Sequence, residues 1–179
     1  TIQNFAEAQE AHSKLIIDHI PDGTQRILDV GSGSGNLALK LINKGFQVDC
    51  VIPSEFLAEQ VRVKLGVHSR IHTCGFENVT ADESYDLILF SESFQYVKLR
   101  ESLQKIGDML NPNGHLLICD FFRRDVPGKS PMGGGHSWQG FQDTISKHPF
   151  NLVTDVDITE ETAPTIDLLA KFNTDVVTP

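Results

Sequence analysis

Apolar and polar positions alternate along the chain in a repeated order of strand followed by helix. Short apolar runs predict strands at 26–31, 46–52, 71–74, 85–90, 115–122 and 150–158. Apolar residues at helical spacing predict helices at 5–20, 36–44, 54–65, 99–110, 138–147 and 162–172. This order is typical of the α/β class, so we expect a doubly wound, mostly parallel sheet with helices on both faces.

Glycine and proline mark the connections between these elements. Residues 21–23, Gly45 and residues 111–114 are turn signals that end predicted helices. Residues 123–136 contain two prolines and four glycines, which predicts an irregular loop over the carboxyl edge of the sheet.

The length of 179 residues and the composition, 40% hydrophobic and 22% charged, are those of one ordinary globular domain. We therefore expect a single domain over residues 1–179. An amino-terminal helix (1–24) precedes a core (25–122), and a loop, helix, strand and terminal segment (123–179) follow it.

The net charge and the cysteine content limit the classes of partner and site that this chain can have. A net charge of -9 argues against nucleic acid as a partner, because such binding depends on Lys and Arg.

The chain contains neither a long apolar run nor the pattern of a secretory signal, so no membrane partner is expected within it. The cysteines Cys50, Cys74 and Cys119 are isolated in apolar stretches, and the histidines share no spacing. We expect a reduced, cytoplasmic protein without a metal site.

The connection between the first strand and the following helix carries the clearest motif, Leu28-Asp-Val-Gly-Ser-Gly-Ser-Gly35. Its glycines let a ligand approach the backbone and reach the free amides of the helix. A tight connection without a ligand is the alternative. The spacing Asp-x-Gly-x-Gly-x-Gly resembles the first motif of class I, Rossmann-like S-adenosylmethionine-dependent methyltransferases. It differs from the dinucleotide pattern Gly-x-Gly-x-x-Gly.

Two further segments extend this resemblance to residues 25–122. Residues 85–92, Tyr-Asp-Leu-Ile-Leu-Phe-Ser-Glu, are similar to the fourth-strand motif of the family, and residues 110–117 to the element before its fifth strand. The resemblance implies S-adenosyl-L-methionine as cofactor. It implies cofactor-binding residues in the turn and after strand four, namely Asp29, Gly31, Ser32, Gly33, Gly35, Ser91 and Glu92.

Two positions depart from the family pattern. The acidic residue that usually ends strand two is replaced by Ile52, followed by Pro53, and the Asp-Ala after strand three by Gly75 and Phe76. At about 1.5–3 kcal/mol for each charged hydrogen bond, the loss of both acids is expected to weaken cofactor binding by roughly a hundredfold or more. Stacking of adenine on Phe76 and contacts from Ser54, Glu55 or Glu77 are possible replacements.

The candidate catalytic residues are Glu92, Tyr96 and His136. Glu92 and Tyr96 follow strand four at the carboxyl edge, where open α/β folds bind ligands. Glu92 is equally interpreted as a support of the glycine turn or of the cofactor ammonium group, and Tyr96 as a packing residue. His136 ends the glycine-rich loop and is interpreted either as a general base or as a neighbour of a helix cap.

The acceptor side is predicted to be apolar. Asp120 either faces the substrate or pairs with Arg123 or Arg124. The remaining side chains are expected to line an acceptor pocket or to pack in the core, namely Phe121, Phe122, Met132 and Trp138.

These features predict methyl transfer to a small-molecule acceptor. One alternative is a methyltransferase-like domain without catalysis that acts as a binding module. Another is an enzyme that uses the same cofactor for a different reaction. The glycine spacing disfavours a nicotinamide-dependent oxidoreductase.

Overall fold

A computed structural model describes residues 5–80, 83–124 and 135–162. The helices are α1 (Phe5–Asp18), α2 (Asn36–Asn43), α3 (Glu55–Leu65), α4 (Leu99–Met109) and α5 (Trp138–Ile145). The strands are β1 (Arg26–Val30), β2 (Gln47–Val51), β3 (Ile71–His72), β4 (Tyr85–Ser91) and β5 (Leu110–Cys119). Short 3-10 helices cover Gly66–His68, Phe76–Asn78 and Phe94–Tyr96.

The chain divides into two compact units. The smaller contains residues 1–18 and 151–179, and its described part is α1 and the segment 151–162. The larger, residues 19–150, contains the sheet and the other four helices. The expectation of a single domain over the whole chain stays a prediction.

The larger unit is built on a parallel sheet with the strand order β3-β2-β1-β4-β5. β1 pairs with β2 on one side and with β4 on the other, so the order reverses between β1 and β4. Ligands of open α/β sheets bind at such a reversal, beyond the carboxyl ends of the strands. The predicted α/β class with a parallel sheet is confirmed.

The core lies around the central strands and continues into an aromatic cluster. Residues of β1 and β4 such as Leu28 and Ile88 are fully buried, as expected for strands covered on both faces. The ring of Phe94 meets Phe90 edge-on at 5.1 Å and Phe141 of α5 at 5.8 Å. This cluster supports the connection that follows β4.

The amino edge of the sheet, opposite the glycine turn, is held by Asp86. Its carboxylate accepts hydrogen bonds from the main-chain amides of Gln25 and Arg26 and from the side chain of Asn111. These bonds, that from Asn111 above all, lower the pKa of Asp86. Asp86 therefore aligns the starts of β1 and β4 and has a structural function.

The predicted strand at 150–158 is not present. This described segment forms no ladder with another strand, and Leu152 and Val153 are 81% and 76% exposed. An alternating apolar pattern becomes a strand only when a neighbour supplies hydrogen-bond partners.

The fifth strand also differs from its prediction. β5 begins at Leu110 and ends at Cys119, and the predicted turn at 111–114 appears as a shift in its pairing with β4. Residues 159–162 are helical, but most of the predicted helix at 162–172 lies outside the described residues, as does Met132. Among the described helices, none has the length and apolar character needed to cross a membrane.

Candidate functional site

The glycine turn connects β1 to α2 at the reversal of strand order. Gly31 and Gly33 have φ angles of 78° and 53°, in the left-handed region that favours glycine. A Cβ atom on Gly31 would lie 2.4 Å from the Cβ of Ser93, whereas a Cβ on Gly33 would have no atom within 4 Å. Gly31 therefore serves close packing against the protein, and Gly33 presents bare backbone to open space where a ligand can approach.

Asp29 lies in β1, two residues before Gly31, and is 1% exposed. Among the described residues, none forms a hydrogen bond with its Oδ2 atom. Burial raises the pKa of Asp29 to about 7, and the hydroxyl of Ser32 partly opposes the shift. A buried carboxylate oxygen without a hydrogen-bond donor is costly for the chain alone, so the position of Oδ2 suits a ligand that brings a cationic or hydrogen-bond-donating group.

Glu92 follows β4 directly and has a strained backbone. Its φ angle is 56°, which is uncommon for a residue other than glycine. Its main-chain amide donates to the carbonyl oxygen of Cys119 at 2.9 Å, while its side chain is exposed. Strain of this kind persists where surrounding contacts impose it and is frequent at functional sites.

Residues 92–98 form the β4–α4 loop, and three contacts fix the conformation of this loop. The Ser93 hydroxyl donates to the carbonyl oxygen of Val30 at 2.5 Å, and the Asp120 carboxylate accepts from the main-chain amide of Gln95 at 3.0 Å. His136 Nε2 lies 3.1 Å from the carbonyl oxygen of Phe94. The loop is thus held by β1, by the end of β5 and by the segment before α5.

Sequence reasoning missed Ser93 and Gln95. Their sequence signal is weak, because they are two small or polar residues within a loop. Their importance follows from contacts with residues that are 63 and 25 positions away. Asp120 was a candidate for the substrate side, and the structure shows it as the acceptor for Gln95 and for the amide of Phe121.

The position of His136 determines which of its ring nitrogens accepts a proton. A carbonyl oxygen only accepts hydrogen bonds, so Nε2 carries the hydrogen that points to Phe94 and Nδ1 is the basic atom of the neutral ring. The cap of α5 is Ser137, whose hydroxyl accepts from the amide of Gly140 at 3.0 Å. His136 is therefore next to the cap, as one interpretation expected, and also reaches the β4–α4 loop.

Tyr96 is 81% exposed, so its interpretation as a packing residue was wrong. The core-packing interpretation of two other aromatic residues is confirmed. Phe122 and Trp138 meet edge-on at 5.2 Å and belong to the aromatic cluster. Phe121 remains 39% exposed at the carboxyl edge.

The end of β2 contains no carboxylate. Ile52 is 1% exposed, and its amide donates to the carbonyl oxygen of His72. Pro53 is exposed. Two of the proposed replacements have partners in the chain, because the Ser54 hydroxyl accepts a hydrogen bond from the amide of Leu57 at 3.4 Å and Glu55 pairs with Arg62.

The loop after β3 brings Gly75 and Phe76 to the same edge. The Phe76 ring is 3% exposed and meets Phe90 edge-on at 5.4 Å, with the ammonium group of Lys105 over its face. It therefore belongs to the core and offers no face for stacking an adenine. A Cβ on Gly75 would collide with the Glu77 carboxylate, so the main chain of Gly75 and Phe76 is what this loop presents to a ligand.

Two of the cysteines, Cys50 and Cys119, are unsuited to nucleophilic chemistry. Burial raises the pKa of Cys50 to about 12 and that of Cys119 to about 11, so both are thiols at neutral pH. Within residues 5–80, 83–124 and 135–162, no group of three or more His, Cys, Asp or Glu side chains is arranged to hold a metal ion.

Comparison with known proteins gives a consistent picture. Residues 2–161 match the family described as "Methyltransferase domain". An uncharacterized methyltransferase of Alkaliphilus oremlandii (strain OhILAs) is 31% identical over 64% of this chain and 54% of its own length. Another, of Staphylococcus carnosus (strain TM300), is 29% identical over 61% of this chain and 53% of its own length. The chain thus covers about half the length of these relatives.

A solved structure shows the same fold. The geranyl diphosphate C-methyltransferase of Streptomyces coelicolor A3(2) superposes with a TM-score of 0.80 and 19% identity, over 90% of this chain and 66% of that chain. That protein was crystallised with Mg2+, geranyl diphosphate and S-adenosyl-L-homocysteine.

Proposed function

Because this chain belongs to the methyltransferase domain family, we propose that it transfers a methyl group from S-adenosylmethionine to a small-molecule acceptor. One observation carries the proposal. At the reversal of strand order, the bare backbone of Gly33 follows by four residues the buried Asp29 of β1, whose Oδ2 atom accepts no hydrogen bond from a described residue. The Streptomyces coelicolor enzyme of the same fold, which binds S-adenosyl-L-homocysteine and geranyl diphosphate, supports this type of reaction.

The residues of the turn fit the cofactor. The amino acid part of S-adenosylmethionine carries an ammonium group, which suits the Asp29 carboxylate, and Gly33 leaves room beside the backbone. We assign binding to Asp29 and residues 31–35, to Ser91 at the end of β4 and Glu92 after it, and to the main chain of residues 52–53 and 75–76. The bound cofactor supplies an electrophilic methyl group on a positively charged sulfur.

The chain itself has to position the acceptor and remove its proton. His136 is the proposed base, because its Nε2 is fixed on Phe94 and its Nδ1 is the atom that accepts a proton. Glu92 and Tyr96 are exposed at the same edge and are proposed to orient the acceptor. The clamped β4–α4 loop holds both residues in place.

The absence of an acid at Ile52 predicts weaker cofactor binding than in members that have one. The main chain at the end of β2 remains as a hydrogen-bonding surface. The free cysteines Cys50, Cys74 and Cys119 suit a reducing compartment, so we place the reaction in the cytoplasm.

The proposed function is tested by titration and by label transfer. In calorimetry we expect S-adenosylhomocysteine to bind at one site and NAD not to bind. Incubation with methyl-labelled S-adenosylmethionine and the small-molecule fraction of a cell extract is expected to yield labelled product. Binding without label transfer would favour the non-catalytic module, and binding of NAD alone would refute the proposal.

Replacing His136 is expected to separate chemistry from cofactor binding. Both His136→Ala and His136→Gln should lower label transfer by roughly a hundredfold or more, because neither side chain is a base. S-adenosylhomocysteine affinity should stay within about twofold, because the affected contact is on Phe94 rather than on the glycine turn. The glutamine amide can still donate to Phe94. Parent-like transfer by the glutamine variant would therefore show that His136 only anchors the loop.

A further inference from the structure

Three basic side chains that form no hydrogen bond or ion pair with a described residue lie at one edge of the sheet. The chain carries a net charge of -9, and most of its described Lys and Arg side chains have partners, such as Arg26 with Asp49 or Arg62 with Glu59. Five basic side chains form no hydrogen bond or ion pair with any described residue: Lys44, Lys98, Arg100, Arg123 and Lys147. Two of these five, Lys98 and Arg123, lie on the connections that follow β4 and β5, and a third, Arg100, lies in the first turn of α4.

Those two connections are joined to each other. Gln95 of the first is bonded to Asp120 of the second at 3.0 Å, and Lys98 and Arg123 each follow this contact by three residues. Three residues span at most about 10 Å of extended chain, so the main chain of both Lys98 and Arg123 lies within about 10 Å of the Gln95–Asp120 contact. Arg100 is two residues further along, in the first turn of α4.

Exposed aromatic side chains lie on the same two connections. Tyr96 is 81% exposed and Phe121 is 39% exposed, whereas the neighbouring Phe94 and Phe122 are packed in the aromatic cluster. We name the combination of Tyr96, Lys98, Arg100, Phe121 and Arg123 the acceptor face. It combines apolar surface with cations that have no described partner.

The other half of the edge has a different character. The connections after β1, β2 and β3, residues 31–35, 52–54 and 73–78, contain no Lys or Arg of their own. Lys64 and Lys105 reach them from α3 and α4, and both ammonium groups already donate to main-chain oxygens, of Ser34 and Glu77. Lys98, Arg100 and Arg123, which have no described partner, therefore stand on the other half, where the acceptor binds in the proposed function.

We propose that the acceptor is an amphipathic anion whose apolar body lies against Tyr96 and Phe121 and whose phosphate or carboxylate group is bound by Lys98, Arg100 and Arg123. Arginine binds both groups through paired N–H donors, and cations that form no hydrogen bond or ion pair with a described residue are available for such binding. This inference rests on the proposed function only in naming the bound molecule as the acceptor.

The test uses simple probes and calorimetry on the whole chain in low salt. Octyl phosphate and octanoate represent the two anionic groups, octanol the uncharged body and inorganic phosphate the head alone. We expect octyl phosphate or octanoate to bind at least tenfold more tightly than octanol and inorganic phosphate. The tighter of the two anions identifies the head group. If octanol binds as tightly as the two anions, the anionic part of the proposal is overturned. If inorganic phosphate binds as tightly as they do, the apolar part is overturned.

A matched pair of double variants locates the site. Lys98→Gln with Arg123→Gln should weaken binding of the tighter anion by about tenfold, because it removes two of the three proposed cationic contacts. Lys44→Gln with Lys147→Gln changes the net charge equally and should have no effect. Equal losses in both pairs would show that the general charge of the protein is responsible, and would refute the acceptor face.

Titration with S-adenosylhomocysteine in parallel separates this inference from the proposed function. If S-adenosylhomocysteine fails to bind while the anion binds at the acceptor face, the proposed function fails and the anion site stands. If S-adenosylhomocysteine binds and the probe anions do not, the proposed function stands and the anionic acceptor is refuted.

Discussion

Gly33→Val is expected to abolish binding of S-adenosylhomocysteine, with a loss of at least a hundredfold in affinity, while the chain remains folded. The parent turn has open space beside Gly33, where a Cβ atom would have no protein atom within 4 Å. The valine side chain would fill the space in which the ligand approaches the backbone. The measurement is calorimetric titration, with the melting temperature as the check on folding.

Gly23→Val is the matched control for this prediction. Gly23 also has a positive φ angle, 83°, and a Cβ atom at this position would also have no neighbour within 4 Å, but it lies in the turn before β1. Both valines impose a similar backbone cost, and only the one at position 33 lies in the glycine turn. A folded Gly33→Val protein that binds as the parent does would show that the site has been misplaced. If Gly33→Val fails to fold, Gly33→Ala with Gly23→Ala repeats the comparison with less strain.

Asp29→Asn is expected to stabilise the ligand-free chain and to weaken its binding of the cofactor. The folded pKa of Asp29 is about 7, against 3.8 for an ordinary Asp. Between about pH 4 and 7 the unfolded chain releases this proton and the folded chain keeps it, so the stability of the parent falls as pH rises. The fall is about 4 kcal/mol at most, and it levels off above pH 7.

Asparagine has no ionisable proton in this pH range, so the variant does not lose stability in the way that the parent does. The variant should therefore melt several degrees above the parent at pH 8, with the difference shrinking toward pH 4. Its affinity for S-adenosylhomocysteine should fall by tenfold or more, because the ammonium group loses an ionised partner. In the parent, this affinity should rise as pH increases through 7, since the ionised carboxylate is the form that binds.

Asp86→Asn is expected to change the stability in the opposite direction from Asp29→Asn. Hydrogen bonds lower the pKa of Asp86, so its carboxylate stabilises the fold at neutral pH and its loss should lower the melting temperature. Asp86 lies at the amino edge of the sheet, so affinity for S-adenosylhomocysteine should not change. A destabilised Asp29→Asn protein with parent-like affinity would contradict the assignment of Asp29 to the cofactor.

The sequence alone determined the order of the elements and the place of the glycine turn. Apolar periodicity and capping residues are local signals, and helices such as α2 and α4 differ from their predicted bounds by one residue at one end. The motif from Asp29 to Gly35 was also readable, because a strand-to-helix turn with three glycines has few other uses.

Only the tertiary structure decided which apolar segments found a neighbouring strand to pair with and which apolar side chains became buried. The apolar pattern at 150–158 predicted a strand, but strand pairing depends on a neighbour that local sequence does not specify. Phe76 was expected to face a ligand and is instead packed on Phe90, because burial is decided by the elements that meet there.

The clamp on the β4–α4 loop is the clearest case of a feature absent from the sequence pattern. Ser93, Gln95 and His136 acquire their functions from partners 63, 25 and 42 residues away. Such contacts form only when the parallel strands bring their carboxyl ends to one edge. Likewise, the residue types at Asp29 and Gly33 were visible in the sequence. The burial of Asp29, with no described partner for its Oδ2 atom, and the open space beside Gly33 follow from how the sheet packs around them.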